Sequence, residues 1–281
     1  MYAVSPLRYP GAKWRLHKFI QRLIEINKLQ GGDYVEPYAG GASLALSLLY
    51  SDLVKTIHLN DLDRSVWAFW HSLLNHNDEF VKRIETTPVT MAQWEIQRHV
   101  QLNADQEDNF NLGFSTFFLN RTNRSGILAG GVIGGKQQNG NWKIDARFNK
   151  SDLIKRIRRI GKYRERIQIT HLDALELLGN LSTNLARKSL VYLDPPYFMK
   201  GQGLYLNAYR PDDHSAVRDT VLSKLTSPWV VSYDNVPEVR SLYKDVPKRF
   251  YDLNYSAGPI RTGKEVLFFA PGIHIPRSIH C

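Results

Sequence analysis

The chain has 281 residues, 43% of them hydrophobic, enough for one large domain or for a domain that carries an insertion around a sizeable core. Lys and Arg number 37 against 27 Asp and Glu, a formal charge of +10, which points to a polyanionic partner and to nucleic acid ahead of membrane. The single cysteine is Cys281, which excludes a disulfide framework and a cysteine metal site and suits a reducing interior.

The opening MYAVSPLRYPGAKWRL lacks the apolar core of a signal peptide, and no stretch approaches about 18 apolar residues, so a cytoplasmic protein without a membrane association is expected. Short apolar runs follow at Tyr34 to Glu36, Thr56 to Leu59, Ile167 to Leu172, Leu190 to Leu193 and Trp229 to Ser232, with helical segments between them. This alternation predicts an α/β fold with a doubly wound, mostly parallel sheet. Near the end, Arg249 to Tyr255 and Glu265 to Phe269 flank a turn bearing Gly and Pro, which predicts an antiparallel hairpin at one sheet edge. Between residues 63 and 150 the alternation breaks: Trp67, Trp70 and Trp94 sit in helical patterns and a polar, glycine-rich stretch follows. The spacing predicts an inserted, mainly helical domain over 63–150, set between 1–62 and 151–281. Within it Asn139-Gly140 separates two strand-like runs and predicts a β-hairpin.

The stretch DYVEPYAGGASLALSLL reads as strand, tight glycine turn and helix. Gly40 and Gly41 would let a ligand approach the backbone, and the helix opened by Ala42 and Ser43 would turn its N-terminal amides toward it. Asp61 ends the next strand, in IHLNDLD, where doubly wound folds place an acid on ribose hydroxyls; Asp63 is better placed to cap a helix. Neither G-x-G-x-x-G nor a P-loop is present, so a nucleoside without phosphates fits better than a pyrophosphate-bearing one. In SLVYLDPPYFMK, Asp194 stands where a buried parallel strand emerges, the place where open α/β sheets bind ligands. Two rigid prolines and an exposed Tyr197 follow it. Taken alone, DPPY reads equally well as a strand-ending turn with a capping acid.

These segments, RYPGAK, VEPYAGGAS, LNDLD and DPPY in that order, resemble the N6-adenine DNA methyltransferases of the Dam type, which use S-adenosylmethionine. The likeness runs through most of the chain. It implies a Rossmann-like methyltransferase fold, with a catalytic domain from 1–62 and 151–281 and target recognition in the insertion. By resemblance, Tyr9 and Lys13 line the cofactor and target-base pocket, Glu36, Tyr38 and Gly40 surround the methionine half, Asp61 holds the ribose and Asp173 contacts the adenine. Where that family often has a further glycine, this chain has Ala42. The implied enzyme is a monomer on double-stranded DNA, prokaryotic or phage-encoded, and the resemblance leaves open whether a restriction endonuclease acts separately beside it.

The chemistry explains the DPPY residues. The N6 amine of adenine is a poor nucleophile because its lone pair is delocalised into the ring. Hydrogen bonds from its two hydrogens to Asp194 and to the Pro195 carbonyl would push that pair toward the methyl group. Pro195 and Pro196 remove backbone donors and stiffen the acceptors, and Tyr197 would stack on a base that has left the duplex. Direct in-line transfer requires no metal and no covalent nucleophile. His214 is expected to be structural, and Asp234 to do no more than cap the helix after Pro237.

For DNA contact, FLNRTNRSG offers Asn120, Arg121, Asn123 and Arg124, and the expected hairpin offers Lys136, Gln137, Gln138, Asn139 and Lys143. Such side chains suit phosphates and base edges, and a two-stranded ribbon can enter the major groove. The segment NKSDLIKRIRRIGKYRERI reads either as a helix tracking the DNA backbone or as a solvated face over a stripe of Leu153, Ile154, Ile157 and Ile160. Two alternatives stand beside adenine methylation: N4 methylation of cytosine by the same acceptors, and a non-catalytic DNA-binding module on the same fold.

Overall fold

A computed structural model of the chain describes residues 4–9, 13–181, 185, 188–198, 209–255 and 261–279. Pro10, Gly11 and Ala12 of RYPGAK, and Cys281, lie outside them. The chain separates into two compact units, one of residues 1–10 and 64–165 and the other of 11–63 and 166–281. The second boundary therefore falls at 165 and not at the expected 150. Helix α7 (Lys150–Lys162) goes with the helical unit because its stripe of Leu153, Ile157 and Ile160 is buried and Asn77 Nδ2 donates to the Ile157 carbonyl.

The sheet unit holds seven strands: β1 (Asp33–Glu36), β2 (Thr56–Asn60), β3 (Ile167–Thr170), β4 (Leu190–Leu193), β5 (Trp229–Asp234), β6 (Lys248–Tyr255) and β7 (Arg261–Phe269). Their spatial order is β3-β2-β1-β4-β5-β7-β6. The first five are mutually parallel, and β7 runs antiparallel between β5 and β6. The turn between β6 and β7, residues 256–260, lies outside the described residues. Because the chain steps outward from β1 to β2 and β3 and then returns to β4 on the other side of β1, the winding reverses between β1 and β4. Ligands of open α/β sheets bind in the crevice at such a reversal, beyond the carboxyl ends of the strands.

Period-two alternation decides what reaches that crevice. Val35, Val191, Leu193, Val231, Tyr233, Val266 and Phe268 share one face, packed with Leu177 and Leu178 of α8 (Ala174–Leu181), Val217 and Val221 of α9 (Pro211–Ser223) and Val239 of α10 (Pro237–Leu242). The intervening Tyr34, Glu36, Tyr192, Asp194, Ser232 and Glu265 must take the other face. On that face Tyr34 stacks on Tyr192, and Phe19 of α1 (His17–Ile26) meets Phe269. A polar set is thus concentrated on one side of the sheet, near the strand ends.

The helical unit contains α3 (Arg64–Asn75), α4 (Asn77–Thr86), α5 (Met91–Leu102), α6 (Asn109–Thr122) and α7. Thr90, Asp108 and Asn149 cap α5, α6 and α7 by accepting from the amides of Gln93, Asn111 and Asp152. Helix α6 is buried from Leu112 to Asn120, so it is the core of the unit with no solvent face of any length. Gly113 lets α3 approach it: a Cβ there would lie 2.4 Å from the Ala68 carbonyl oxygen. Phe69, Phe80, Phe114 and Phe117 fill the rest with edge and stacked contacts.

The β-hairpin expected around Asn139-Gly140 is not there. Residues 133–148 run through successive turns, and strand pairing is limited to one antiparallel bridge between Asn123 and Val132. Gln138, at φ 53°, does what a ladder would have done: its Nε2 donates to the carbonyls of Ile133 (2.8 Å) and Gly135 (2.7 Å), and its Oε1 accepts from the Ile144 amide (2.8 Å). Local side-chain to backbone bonding has displaced the hairpin. Among the described residues, no helix is long and apolar enough to cross a membrane.

Candidate active site

At the end of β1 the chain turns through Pro37 to Ala42 into α2 (Ser43–Tyr50). Gly40 sits at φ 46°, and Ala42 at φ 46°, ψ 30°, in the left-handed region. An alanine there is strained by about 1–2 kcal/mol, which is the physical reason a glycine suits the position. The turn is pinned from β2. Asp61 Oδ2 accepts from the Gly40 amide at 2.8 Å, and Asp61 Oδ1 from the Asp63 amide at 3.0 Å. Asn60, missed by sequence reasoning, joins three strand ends: its Nδ2 donates to the carbonyls of Pro37 and Leu172, and its Oδ1 accepts from the Leu172 amide and the Thr170 hydroxyl. An asparagine beside a functional acid gave no separate signal.

Two carboxyl groups of this turn are shifted. Burial raises the Glu36 pKa to about 8, against the opposing pull of the Tyr34 hydroxyl and the Ala45 amide, which donates to Glu36 Oε1 at 3.2 Å. Burial and the neighbouring Asp63 carboxylate raise Asp61 to about 7. A buried acid short of donors at the end of β1 suits a ligand that brings a cation, and an acid at the end of β2 suits hydroxyl groups. The donor set therefore fits the ammonium and ribose of S-adenosylmethionine. Asp173 is exposed and its Oδ1 accepts from the Leu175 amide at 2.8 Å, at the start of α8. The Tyr38 hydroxyl lies 2.9 Å from that of Tyr209.

Asp194 follows β4 across the reversal. Its Oδ1 accepts from the Ser232 hydroxyl at 2.6 Å and lies 3.2 Å from Lys13 Nζ. Among the described residues its Oδ2 accepts no hydrogen bond. Lys13 Nζ also donates to Glu265 Oε2 at 2.7 Å and sits 5.6 Å from the centre of the Tyr197 ring. Glu265, wholly buried, accepts in addition from the Tyr197 hydroxyl at 2.8 Å and from the Tyr251 hydroxyl. Burial alone would depress the Lys13 pKa, but Asp194, Tyr251, Tyr197 and Glu265 carry it well above the ordinary lysine value, so the ammonium persists. Burial lifts the Asp194 pKa, with Lys13 opposing and Glu265 adding to the rise.

The structure corrects two sequence expectations here. Tyr197 is 5% exposed, not a solvent-facing ring, and Pro195 and Pro196 are buried with it. Lys13 lies against Asp194 and Glu265. Asp234 does not cap α10; its Oδ1 accepts from the Phe198 amide at 3.1 Å and so fastens the backbone just past DPPY. His214 is structural: its Nδ1 lies 2.9 Å from the Tyr233 hydroxyl and its ring packs against Phe198 and Tyr209. Ser232 and Glu265 were overlooked because a serine or acid at the end of an apolar strand reads as a boundary.

In the helical unit, Tyr9 is 38% exposed. Asn120 and Asn123 are buried, contrary to their expected place on DNA. Asn120 bonds the Arg8 amide and carbonyl and the Gly126 carbonyl; Asn123 accepts from the Trp94 indole at 2.6 Å and donates to the Ile127 and Leu128 carbonyls. Gln138 is likewise spent on its own loop. Arg124, Lys136, Gln137, Asn139 and Lys143 are exposed. Arg121 donates to the Arg147 carbonyl at 2.7 Å, and burial together with Arg8, Arg156 and Arg147, against a single Asp152, lowers its pKa to about 9. Four guanidinium groups around one carboxylate make a site that favours an anion. On α7, Lys155, Arg159 and Lys162 are exposed over the buried stripe, while Arg156 bonds Ser5 and Asp152.

Among solved structures, the chain is similar to an S-adenosylmethionine-dependent methyltransferase from Agrobacterium tumefaciens, at 7% identity and TM-score 0.45 over 92% of this chain and 62% of that one. It is also similar to an rRNA methyltransferase from Streptomyces viridochromogenes, at 13% identity and TM-score 0.41 over 93% and 86%. No curated protein matches the sequence. The family model of the D12 class N6 adenine-specific DNA methyltransferases matches residues 9–255, and the chain belongs to that family.

Proposed function

We propose that the protein transfers a methyl group from S-adenosylmethionine to N6 of an adenine flipped out of duplex DNA, at a short recognition site. The family supports methyl transfer, and its description supplies adenine N6 in DNA as the target. The observation that carries the mechanism is the state of Asp194. One carboxylate oxygen is fastened by Ser232 and Lys13, and the other is uncommitted among the described residues.

When bound, S-adenosylmethionine supplies an electrophilic methyl on a sulfonium. Asp194 Oδ2 and the Pro195 carbonyl accept the two N6 hydrogens and draw the amine lone pair out of conjugation. Because Oδ1 is held from two sides, the carboxylate cannot rotate to satisfy itself elsewhere. Glu36 holds the ammonium of the donor and Asp61 its ribose, so the reacting atoms are aligned by groups fixed at strand ends. The Asp194 carboxylate, with its raised pKa, takes the proton that leaves N6 after the methyl arrives.

For DNA we assign exposed Arg124, Lys136, Gln137, Asn139 and Lys143, with Arg121 and its neighbouring arginines on a backbone phosphate. The test is incubation with unmethylated genomic DNA and S-adenosylmethionine, followed by sequencing that detects modified bases. N6-methyladenine confined to one short motif is expected. Modified cytosine would overturn the base assignment, and an absence of any modified base, with cofactor binding demonstrated, would overturn the reaction.

A further inference from the structure

We propose that Glu265 is a positioning residue of the methyl-transfer site, setting Lys13 and Tyr197 against Asp194 from the antiparallel strand β7. The residue lies outside the span 9–255 matched by the family model and touches none of the DPPY backbone in the hydrogen bonds described. It opens the run Glu265-Val266-Leu267-Phe268-Phe269, whose other members are apolar and buried. A carboxylate with 0% exposure is a costly choice for such a strand unless its donors are worth having. Here its donors include the Lys13 ammonium, the Tyr197 hydroxyl and the Tyr251 hydroxyl.

Two of these contacts act on groups that the reaction uses. Tyr197 is tied by its hydroxyl, at the far edge of the ring, so the plane of the ring is fixed from β7 as well as from the DPPY turn. Lys13 is held at 2.7 Å by Glu265 and reaches Asp194 at 3.2 Å on Oδ1, the oxygen that Ser232 already engages. Released from Glu265, an ammonium with a single acid partner would move toward both of its oxygens and cover Oδ2. Glu265 thus keeps one acceptor of Asp194 available.

The inference rests on the methyl-transfer reading of Asp194, and wild-type transfer measured in the same assay tests that reading separately. Three variants, E265Q, E265D and the double K13M/E265M, are compared for single-turnover methyl transfer to DNA, cofactor affinity by calorimetry, and Tm. We expect E265Q to lower the rate about 10²-fold with cofactor affinity little changed, and E265D, which keeps the charge, to recover part of the rate. The double variant keeps the fold accessible should E265Q not fold, because apolar residues replace both ends of the buried Lys13–Glu265 pair and Asp194, which loses its ammonium, keeps the Ser232 hydroxyl. It is expected to bind cofactor and transfer no faster than E265Q. Transfer at the wild-type rate by E265Q or by the double variant, or an E265Q defect confined to Tm, would overturn the proposal. No transfer by the wild type would remove its premise as well.

Discussion

The two units treat their polar residues differently. In the sheet unit, polar side chains at the ends of β1, β2, β4, β5 and β7 are spent on one another and on the turns beside them, yet one Asp194 oxygen accepts no hydrogen bond among the described residues. In the helical unit, Asn120 and Gln138 are bonded to backbone and Asn123 to backbone and the Trp94 indole, and the groups left outward are simple cations and amides on exposed turns. A strand end presents a side chain where the sheet dictates. An irregular loop must first satisfy its own carbonyls and amides, and its polar residues are drawn inward to do so.

The contrast can be broken first at Lys13. Removing one partner from a buried charge cluster should cost about 3–5 kcal/mol, so the Lys13→Met variant, with Glu265 and Asp194 left facing each other, is expected to show the largest drop in urea midpoint. A midpoint within error of the wild type would show that the cluster is solvated.

The second handle is pH. For Glu36, raised by burial to about 8, the folded state holds a proton that the unfolded chain has already released above its ordinary value of 4.5. Unfolding in that window releases the proton, so stability falls as pH rises from the ordinary carboxylate range toward 8, by up to about 1.4 kcal/mol per pH unit. Asp61, raised to about 7, adds a slope of the same sign. Denaturation midpoints between pH 5 and 8.5 should decline in the wild type and flatten in Glu36→Gln; a wild type that gains stability with pH would contradict the assignment.

Asn123→Ala sharpens the comparison from the helical side. It strands the Trp94 indole and two carbonyls, and a loss of about 1–3 kcal/mol is expected. Lys143→Ala should instead leave stability within about 0.5 kcal/mol and lower the salt slope of DNA binding by about one phosphate. Equal effects of the two on DNA affinity at matched folded fraction would erase the distinction. Ala42→Gly relieves a left-handed backbone and should raise stability by about 1 kcal/mol, read as a rise in Tm.

Much of the fold was legible because its signals are periodic. Runs of three to seven residues placed all seven strands to within a few positions, and the shift from alternating strands and helices to a hairpin marked where β6 and β7 turn antiparallel. Asn139-Gly140 misled because turn propensity is local, and Gln138 a residue away offered the backbone a better set of partners. At the site, Asp61 beyond β2 and Asp194 beyond β4 stood out by position. Glu36 and Lys13 stood out only through the resemblance, and Ser232, the partner of Asp194, and Glu265, the partner of Lys13, come from strands that are distant in sequence and adjacent only in the sheet. Nothing local marks a residue whose importance is the neighbour that topology brings to it.

The central claim is that the uncommitted oxygen of Asp194 activates an exocyclic amine, and its most direct test is Asp194→Ala. Single-turnover transfer from labelled S-adenosylmethionine to DNA is measured beside calorimetric cofactor binding on the same preparation. Loss of an acceptor aimed at developing charge is expected to slow transfer by about 10²–10³-fold or more while the cofactor still binds. Transfer within a few-fold of the wild type by the folded, cofactor-bound variant would contradict it.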